Sequence, residues 1–231
     1  MDDGKLNQTL LDIYARLFHR YGPQHWWPAR EPFEVIVGAI LTQSTAWTNV
    51  EKAIASLRAS GNLSAGAIRR LSGTELAGLI RSCGYYNVKA KRLKSFVEWL
   101  GERYSDNLDA MFSNSIGELR RELLTIYGIG EETADSIMLY AGDKPVFVID
   151  AYTRRILDRL GLTPAEKSYA ACQKLFMMNL PPEAALFNEY HALLVHLGKD
   201  ACRKSPRCAV CCLSENKPVK PGDKFPCSRL A

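Results

Sequence analysis

The chain has 231 residues, enough to bury a sizeable core as one large domain or as two lobes. Hydrophobic residues make up 47% and charged residues 24%, which is ordinary for a folded soluble protein, and 30 Lys and Arg against 25 Asp and Glu permit a polyanionic partner without demanding one. No apolar run approaches the roughly 20 residues of a membrane helix, and Met1-Asp2-Asp3-Gly4 lacks a basic, apolar signal, so a cytoplasmic protein with no membrane partner is expected.

Apolar residues recur at helical spacing in Leu6-Leu10-Leu11-Ile13-Tyr14-Leu17-Phe18, then in Phe33-Val37-Ile40-Leu41 and in Leu93-Phe96-Val97-Leu100, with few β-branched alternations anywhere. Turn chemistry interrupts the chain at Tyr21-Gly22-Pro23, Ala59-Ser60-Gly61-Asn62, Ser72-Gly73-Thr74, Ser105-Asp106-Asn107, Gly142-Asp143-Lys144-Pro145, Gly161-Leu162-Thr163-Pro164 and Leu180-Pro181-Pro182. Around ten short helices are expected. Ser64 and Thr74 read as N-caps, and Thr163-Pro164-Ala165-Glu166 reads as a cap with proline at the first helical position. Ser214 to Ala231, rich in Pro, Lys and Gly, is expected to be irregular.

The densest chemistry lies between Leu124 and Asp150. Gly128-Ile129-Gly130 predicts a tight turn between two helical segments: the glycines remove the Cβ that blocks left-handed backbone, and Ile129 can plug the helices together. The amides of Gly130, Glu131 and Glu132 then open a helix, where dipole and free N–H groups favour a phosphate oxygen. A turn of this kind by itself is also a common helix connector. The apolar Val146-Phe147-Val148-Ile149 run ends in Asp150, ahead of a helical pattern through Leu157, so the carboxylate should stand at a helix N-terminus as a cap, a functional acid, or both. Five of the seven cysteines fall between Cys202 and Cys227, which in a reduced compartment reads as metal ligation. Cys83 and Cys172, isolated among apolar neighbours, should be buried and inert.

With the Val148-Ile149-Asp150-Ala151-Tyr152-Thr153-Arg154-Arg155 segment, the Gly-x-Gly turn resembles the helix-hairpin-helix of the endonuclease III superfamily of DNA glycosylases. The resemblance implies an all-α, two-lobed fold. Residues 30–140 would form a helical middle lobe ending in the hairpin; residues 1–29 and 141–231 would form the second lobe, with the catalytic Asp, a Cys-rich loop and a DNA cleft between the lobes. It further implies a monomer that acts on double-stranded DNA carrying a damaged base, hydrolysing the N-glycosidic bond of the flipped nucleotide in base excision repair. Asp150 would stabilise the oxocarbenium-like sugar and help to activate water. Members that also cut the strand resemble Gly-x-Gly-x-Lys-Thr-Ala here. This chain has Glu132 before Thr133-Ala134, and a carboxylate cannot form an imine, so lyase activity is not expected. Glu131 and Glu132 also suit the first turn of a helix on electrostatic grounds alone.

Gly38-Ala39-Ile40-Leu41-Thr42-Gln43-Ser44-Thr45 resembles the 3-methyladenine glycosylase III branch. That places Gln43 near the gap left by the flipped base, where its amide would bond the orphaned partner; a polar helix cap is the alternative. Gly84-Tyr85-Tyr86-Asn87 with Lys89-Ala90 matches an aromatic turn before a basic helix, so Tyr86, Lys89, Lys91, Arg92 and Lys94 would approach phosphate, or simply face solvent. Gly128, Ile129 and Gly130 complete the DNA-binding set. Trp27, Pro28 and Trp47, with Lys199, fall where the branch builds its base pocket, although tryptophans more often mean core. An aromatic sandwich favours a cationic purine such as 3-methyladenine. Excision of uracil, mismatched thymine or oxidised bases, or non-catalytic DNA binding through the hairpin, are the alternatives. Cys202-x5-Cys208-x2-Cys211 and Cys227 resemble the superfamily's iron–sulfur loop, usually Cys-x6-Cys-x2-Cys-x5-Cys, and imply a [4Fe-4S] cluster on those four, Cys212 being the less favoured fourth ligand. A four-thiolate zinc site is the rival. Arg203, Lys204 and Arg207 would lend the loop positive charge.

Overall fold

A computed structural model describes residues 3–27, 29, 31–214 and 227. Twelve α-helices and no strand occur among the described residues. The chain divides into two compact units, one of Met1–Trp26 with Pro145–Ala231 and the other of Trp27–Lys144.

The Trp27–Lys144 unit holds α2 (Pro32–Leu41), α3 (Trp47–Ala59), α4 (Ala65–Arg70), α5 (Gly73–Leu79), α6 (Tyr86–Tyr104), α7 (Leu108–Phe112), α8 (Ile116–Thr125) and α9 (Glu131–Ser136). Every residue of α2 from Phe33 to Leu41 is buried, as befits a helix that is apolar all round at the centre of a bundle. Its one acid, Glu34, is met by Arg58 at 2.6 Å. Helix α6 packs α4 and α5 through Leu93, Phe96, Val97 and Leu100. Short helices this close together need explicit ends. Ser64, Asn107 and Ser115 each accept an amide of the following turn, and Ser115 with Glu118 forms a reciprocal capping box. The expected cap Thr74 is instead inside α5. Ser72 caps that helix because Glu75, three residues on, reaches back to the Ser72 amide at 2.8 Å. Helix α9 continues into a π-helical turn over Ile137–Ala141.

The other unit holds α1 (Asp3–Tyr21), α10 (Ala151–Leu160), α11 (Tyr169–Met177) and α12 (Ala184–Asp200). Thr163-Pro164-Ala165-Glu166 makes one turn and no helix. Lys167 takes a left-handed φ of 51°, which breaks the run, and Ser168 caps α11 afresh. At the centre, the Phe147 ring stacks on Phe176 at 3.9 Å and meets Phe187 and Tyr190 edge-on. Val146 to Ile149 are each no more than 1% exposed and belong to no helix, so their peptide groups need partners. Gln173 donates to Phe147 O at 2.8 Å, and the Tyr169 hydroxyl accepts from the Ile149 amide at 3.3 Å. This buried, side-chain-satisfied strap delivers Asp150 to the start of α10.

Candidate functional site

In the Trp27–Lys144 unit the turn between α8 and α9 has the expected shape, with one refinement. Gly128 alone is left-handed, at φ 80°, whereas Gly130 is extended and serves as the N-cap of α9. A Cβ at Gly128 would overlap Arg92 Cγ, while one at Gly130 would meet nothing within 4 Å. Ile129 is 5% exposed, the plug its position predicts. Glu132 is exposed in the first turn of α9. Behind the turn, the guanidinium of Arg120 brackets Asp135, with Nε to Oδ1 at 2.7 Å and Nη2 to Oδ2 at 3.1 Å, which ties α8 to α9. The carboxylates beside Arg120 push its pKa up, against burial.

Gln43 lies against this turn. Its Nε2 donates to Gly128 O at 3.0 Å and to Thr133 Oγ1 at 2.8 Å, and its Oε1 accepts from Arg92 Nη1. Lys89 requires a correction: it is 1% exposed, and its ammonium donates to Leu41 O at 2.8 Å, Cys83 O at 2.9 Å and Thr45 Oγ1. All three N–H donors are used inside the protein, so this side chain has none to offer phosphate. Burial draws its pKa down. Tyr86, half-buried, lies under the Arg81 guanidinium at 6.0 Å. Its neighbour Tyr85, in the same aromatic turn, is 75% exposed and held at φ 46°. A bulky aromatic in the left-handed region costs about 1 kcal/mol or more, a sign that the loop is over-determined by its surroundings. Gly84, immediately before it, is also at positive φ, 60°.

The same unit builds an aromatic box. Trp27 meets Trp47 edge-on at 5.0 Å and Tyr140 at 5.2 Å, and Gly38 makes room for it, since a Cβ there would come within 2.9 Å of Trp27 Cζ2. All three rings are half-buried. Tyr140 belongs to the π-helical turn, which no spacing rule anticipates. Pro28 lies outside the described residues.

In the other unit Asp150 caps α10: Oδ1 accepts the Thr153 amide at 2.7 Å. Oδ2 stands 3.9 Å from Nε2 of His191 on α12. His191 is 5% exposed, and burial lowers its pKa while the Asp150 charge pulls the other way. Thr153 Oγ1 is buried beside them. Lys199 Nζ lies 5.5 Å from the Trp26 ring.

Arg159 links two of the cysteines. Its Nη1 donates to Cys202 Sγ at 3.1 Å, and its carbonyl lies 3.7 Å from Cys227 Sγ. Burial pushes the Cys227 thiol up to about 11, and the fields of Cys211, Cys202 and Cys208 act in the same sense. The Cys212 thiol is also pushed up to about 11, first by burial and then by Cys211, but Arg20 and Arg16 of α1 pull it back. Among the described residues, no three His, Cys, Asp or Glu side chains form a group that could hold a metal ion. Cys83 and Cys172 are buried, as expected. No described helix is long and apolar enough to cross a membrane.

Residues 37–182 match the family model of the HhH-GPD superfamily base excision DNA repair proteins. MJ1434 of Methanocaldococcus jannaschii, carried as a candidate DNA repair glycosylase, is 44% identical over 209 residues, covering 90% of this chain and 95% of the relative. Endonuclease III of Sulfolobus acidocaldarius is 28% identical over 80% of this chain and 81% of its own. Among solved structures, the Helicobacter pylori 3-methyladenine DNA glycosylase bound to 1,N6-ethenoadenine superposes with a TM-score of 0.72 at 26% identity, covering 86% of this chain and 98% of the other. A trapped covalent complex of Endonuclease III with DNA gives 0.75 at 22% identity, over 89% and 92%, a likeness of fold.

Proposed function

We propose, for a chain that belongs to the HhH-GPD superfamily of base excision DNA repair proteins and is a DNA glycosylase of the endonuclease III type, a monofunctional hydrolysis. Two residues support this reading: Glu132, in the first turn of α9, stands in sequence where strand-cutting members resemble a lysine, and Asp150 caps α10. One Asp150 oxygen is fixed by the Thr153 amide, which orients the carboxylate; Oδ2 is the oxygen that would face the sugar. A fixed negative charge there stabilises the oxocarbenium-like sugar as the glycosidic bond opens, and water completes the hydrolysis. Glu132 has no amine with which to attack C1′, so the product is a free base and an uncut abasic site.

Two features support an alkylated purine such as 3-methyladenine as the base. The half-buried Trp27, Trp47 and Tyr140 rings offer faces to a cationic, electron-poor base, worth roughly 2 kcal/mol in a desolvated setting. The likeness to a 3-methyladenine glycosylase that was solved with an ethenoadenine points the same way. The hairpin amides would grip the backbone phosphate of double-stranded DNA, and exposed Tyr85 is suited to stack at the distorted site.

The cysteine loop fits a [4Fe-4S] cluster by its donor chemistry. The set is all sulfur, as a cluster requires, while among the described residues no three of these side chains stand together as a ligand group. Cys202, Cys208, Cys211 and Cys227 would hold the cluster, with Arg159 donating to the Cys202 sulfur. Zinc on the same four thiolates is the alternative. Incubation of the purified protein with duplexes that each carry a single lesion tests the reading: release of 3-methyladenine is expected, and preference for uracil or an oxidised pyrimidine would overturn the alkylation assignment.

A further inference from the structure

Tyr127, the residue before Gly128 in the hairpin turn, is 59% exposed, although Ile126 and Ile129 on either side of it are 6% and 5% exposed. It borders an open cleft of about 650 Å³ whose other walls are α6 and the start of α5, with Thr74, Asn87, Lys91, Lys94 and Ser95 among the lining residues. Asn87, Lys91, Lys94 and Ser95 recur at three- and four-residue spacing and so share one face of α6. A Cβ on Gly128 would overlap Arg92, the residue after Lys91, so the turn lies at that level of the helix. There Lys91 is exposed, and Lys94, half-buried with its Nζ donating to Arg69 O at 2.7 Å, leaves its charge in the same wall. Glu98, the acid of the cleft, is two turns further on from Lys91, roughly 10 Å along the helix. The cleft is therefore cationic beside the hairpin and acidic away from it.

A singly exposed aromatic is ordinary on a protein surface. Here the ring, an exposed cation and the free amides that follow Gly128 meet along one edge, and that combination suits a sugar–phosphate strand: the cation takes a phosphate, the ring covers the apolar face of a deoxyribose, and a tyrosine hydroxyl donates to phosphate oxygen. We propose that the cleft between Tyr127 and α6 carries the DNA strand onward from the hairpin. Lys91 pairs with the phosphate next to the one gripped by the hairpin amides, and Tyr127 packs on the sugar between them. The contact reads no base, so it lengthens the footprint without adding sequence preference. This use of the cleft rests on the DNA-binding reading of the hairpin.

Salt titration of a short fluorescent duplex, with ethylation of single phosphates on the same duplex, tests it. Lys91→Ala should lower the slope of log affinity against log salt by about 0.9, the share of one neutralised phosphate. In the wild type, ethylation at two adjacent phosphates of one strand should block binding; in Lys91→Ala only one of these should remain sensitive. Tyr127→Ala should weaken binding about tenfold at every salt concentration and leave the slope unchanged, because it removes packing and no charge. Tyr127→Glu should weaken it further at low salt, and its gap from Tyr127→Ala should close as salt rises, which a merely loosened hairpin would not show. An unchanged slope and ethylation pattern in Lys91→Ala, wild-type affinity in Tyr127→Ala, or a salt-independent gap between the two Tyr127 variants would each overturn the proposal. Failure of the wild type to bind duplex at all would instead overturn the DNA-binding reading beneath it.

Discussion

Nε2 of His191 faces Oδ2 of Asp150 at 3.9 Å, while the other oxygen of that carboxylate is taken by the Thr153 amide. The two residues come from a packed helix pair, the start of α10 and the interior of α12, and both are largely shielded from water. Burial depresses the His191 pKa, so the imidazole stays neutral near neutral pH and adds no positive charge beside Asp150. A neutral neighbour suits the role proposed for Asp150, the stabilisation of positive charge.

Stability should therefore fall on the acid side. His191 has a folded pKa below its usual value of about 6.5, so the unfolded chain binds the proton more readily and the folded state loses stability as pH drops below that value. Thermal melts between pH 7.5 and 5 should show this loss, and His191→Gln should reduce it. An identical acid slope in the variant would contradict the assignment.

Gly128→Ala should destabilise the hairpin through two effects, a left-handed alanine at about 1–2 kcal/mol and a Cβ overlapping Arg92 Cγ. Gly130→Ala, extended and with open space around its Cβ, should cost far less. Comparison of the two melting temperatures checks the order, and equal shifts would count against it.

Cys227→Ser should lose bound iron and the broad absorbance near ~400 nm expected of a thiolate-held cluster, whereas Cys212→Ser should retain both. Metal analysis of the two variants decides; loss from Cys212→Ser alone would move the fourth ligand there, and zinc in place of iron would exchange the cofactor.

Trp47→Ala and Trp27→Ala should each reduce excision of an alkylated purine by roughly tenfold or more while changing affinity for an abasic-site analogue much less, because only the former offers a cationic ring to the aromatic box. Equal losses on both substrates would assign the tryptophans to the core.

The parts of this architecture written in local chemistry were legible in the sequence. The hairpin followed from Gly128, Ile129 and the acids after them, and the Asp150 cap from four apolar residues before it and a helical pattern behind it. What escaped depended on partners distant along the chain. Nothing near Lys89 signals that Leu41, Thr45 and Cys83 converge on its ammonium, so a buried tether read as a surface cation. His191 sits among apolar residues of α12, where a histidine on a core-facing helix carries no local mark of an aspartate 41 positions earlier. Tyr140 reaches Trp27 from a π-helical turn, which shifts the side-chain phase that a 3.6-residue period assumes. The cap at Ser72 and the broken turn at Lys167 were misread because two candidate caps lay within a few residues and only side-chain reach decides between them.

The most direct test is a borohydride challenge during turnover of a duplex carrying 3-methyladenine, with wild type, Asp150→Asn and Glu132→Lys run side by side. Wild type should release free base, leave a strand that breaks only after alkali, and give no protein–DNA adduct, because Glu132 supplies no amine. Asp150→Asn should still bind the duplex but release base about a hundredfold or more slowly, having lost its fixed charge. Glu132→Lys should begin to form a trappable adduct. Efficient trapping of the wild-type protein, or undiminished turnover by Asp150→Asn, would contradict a hydrolysis that runs through Asp150.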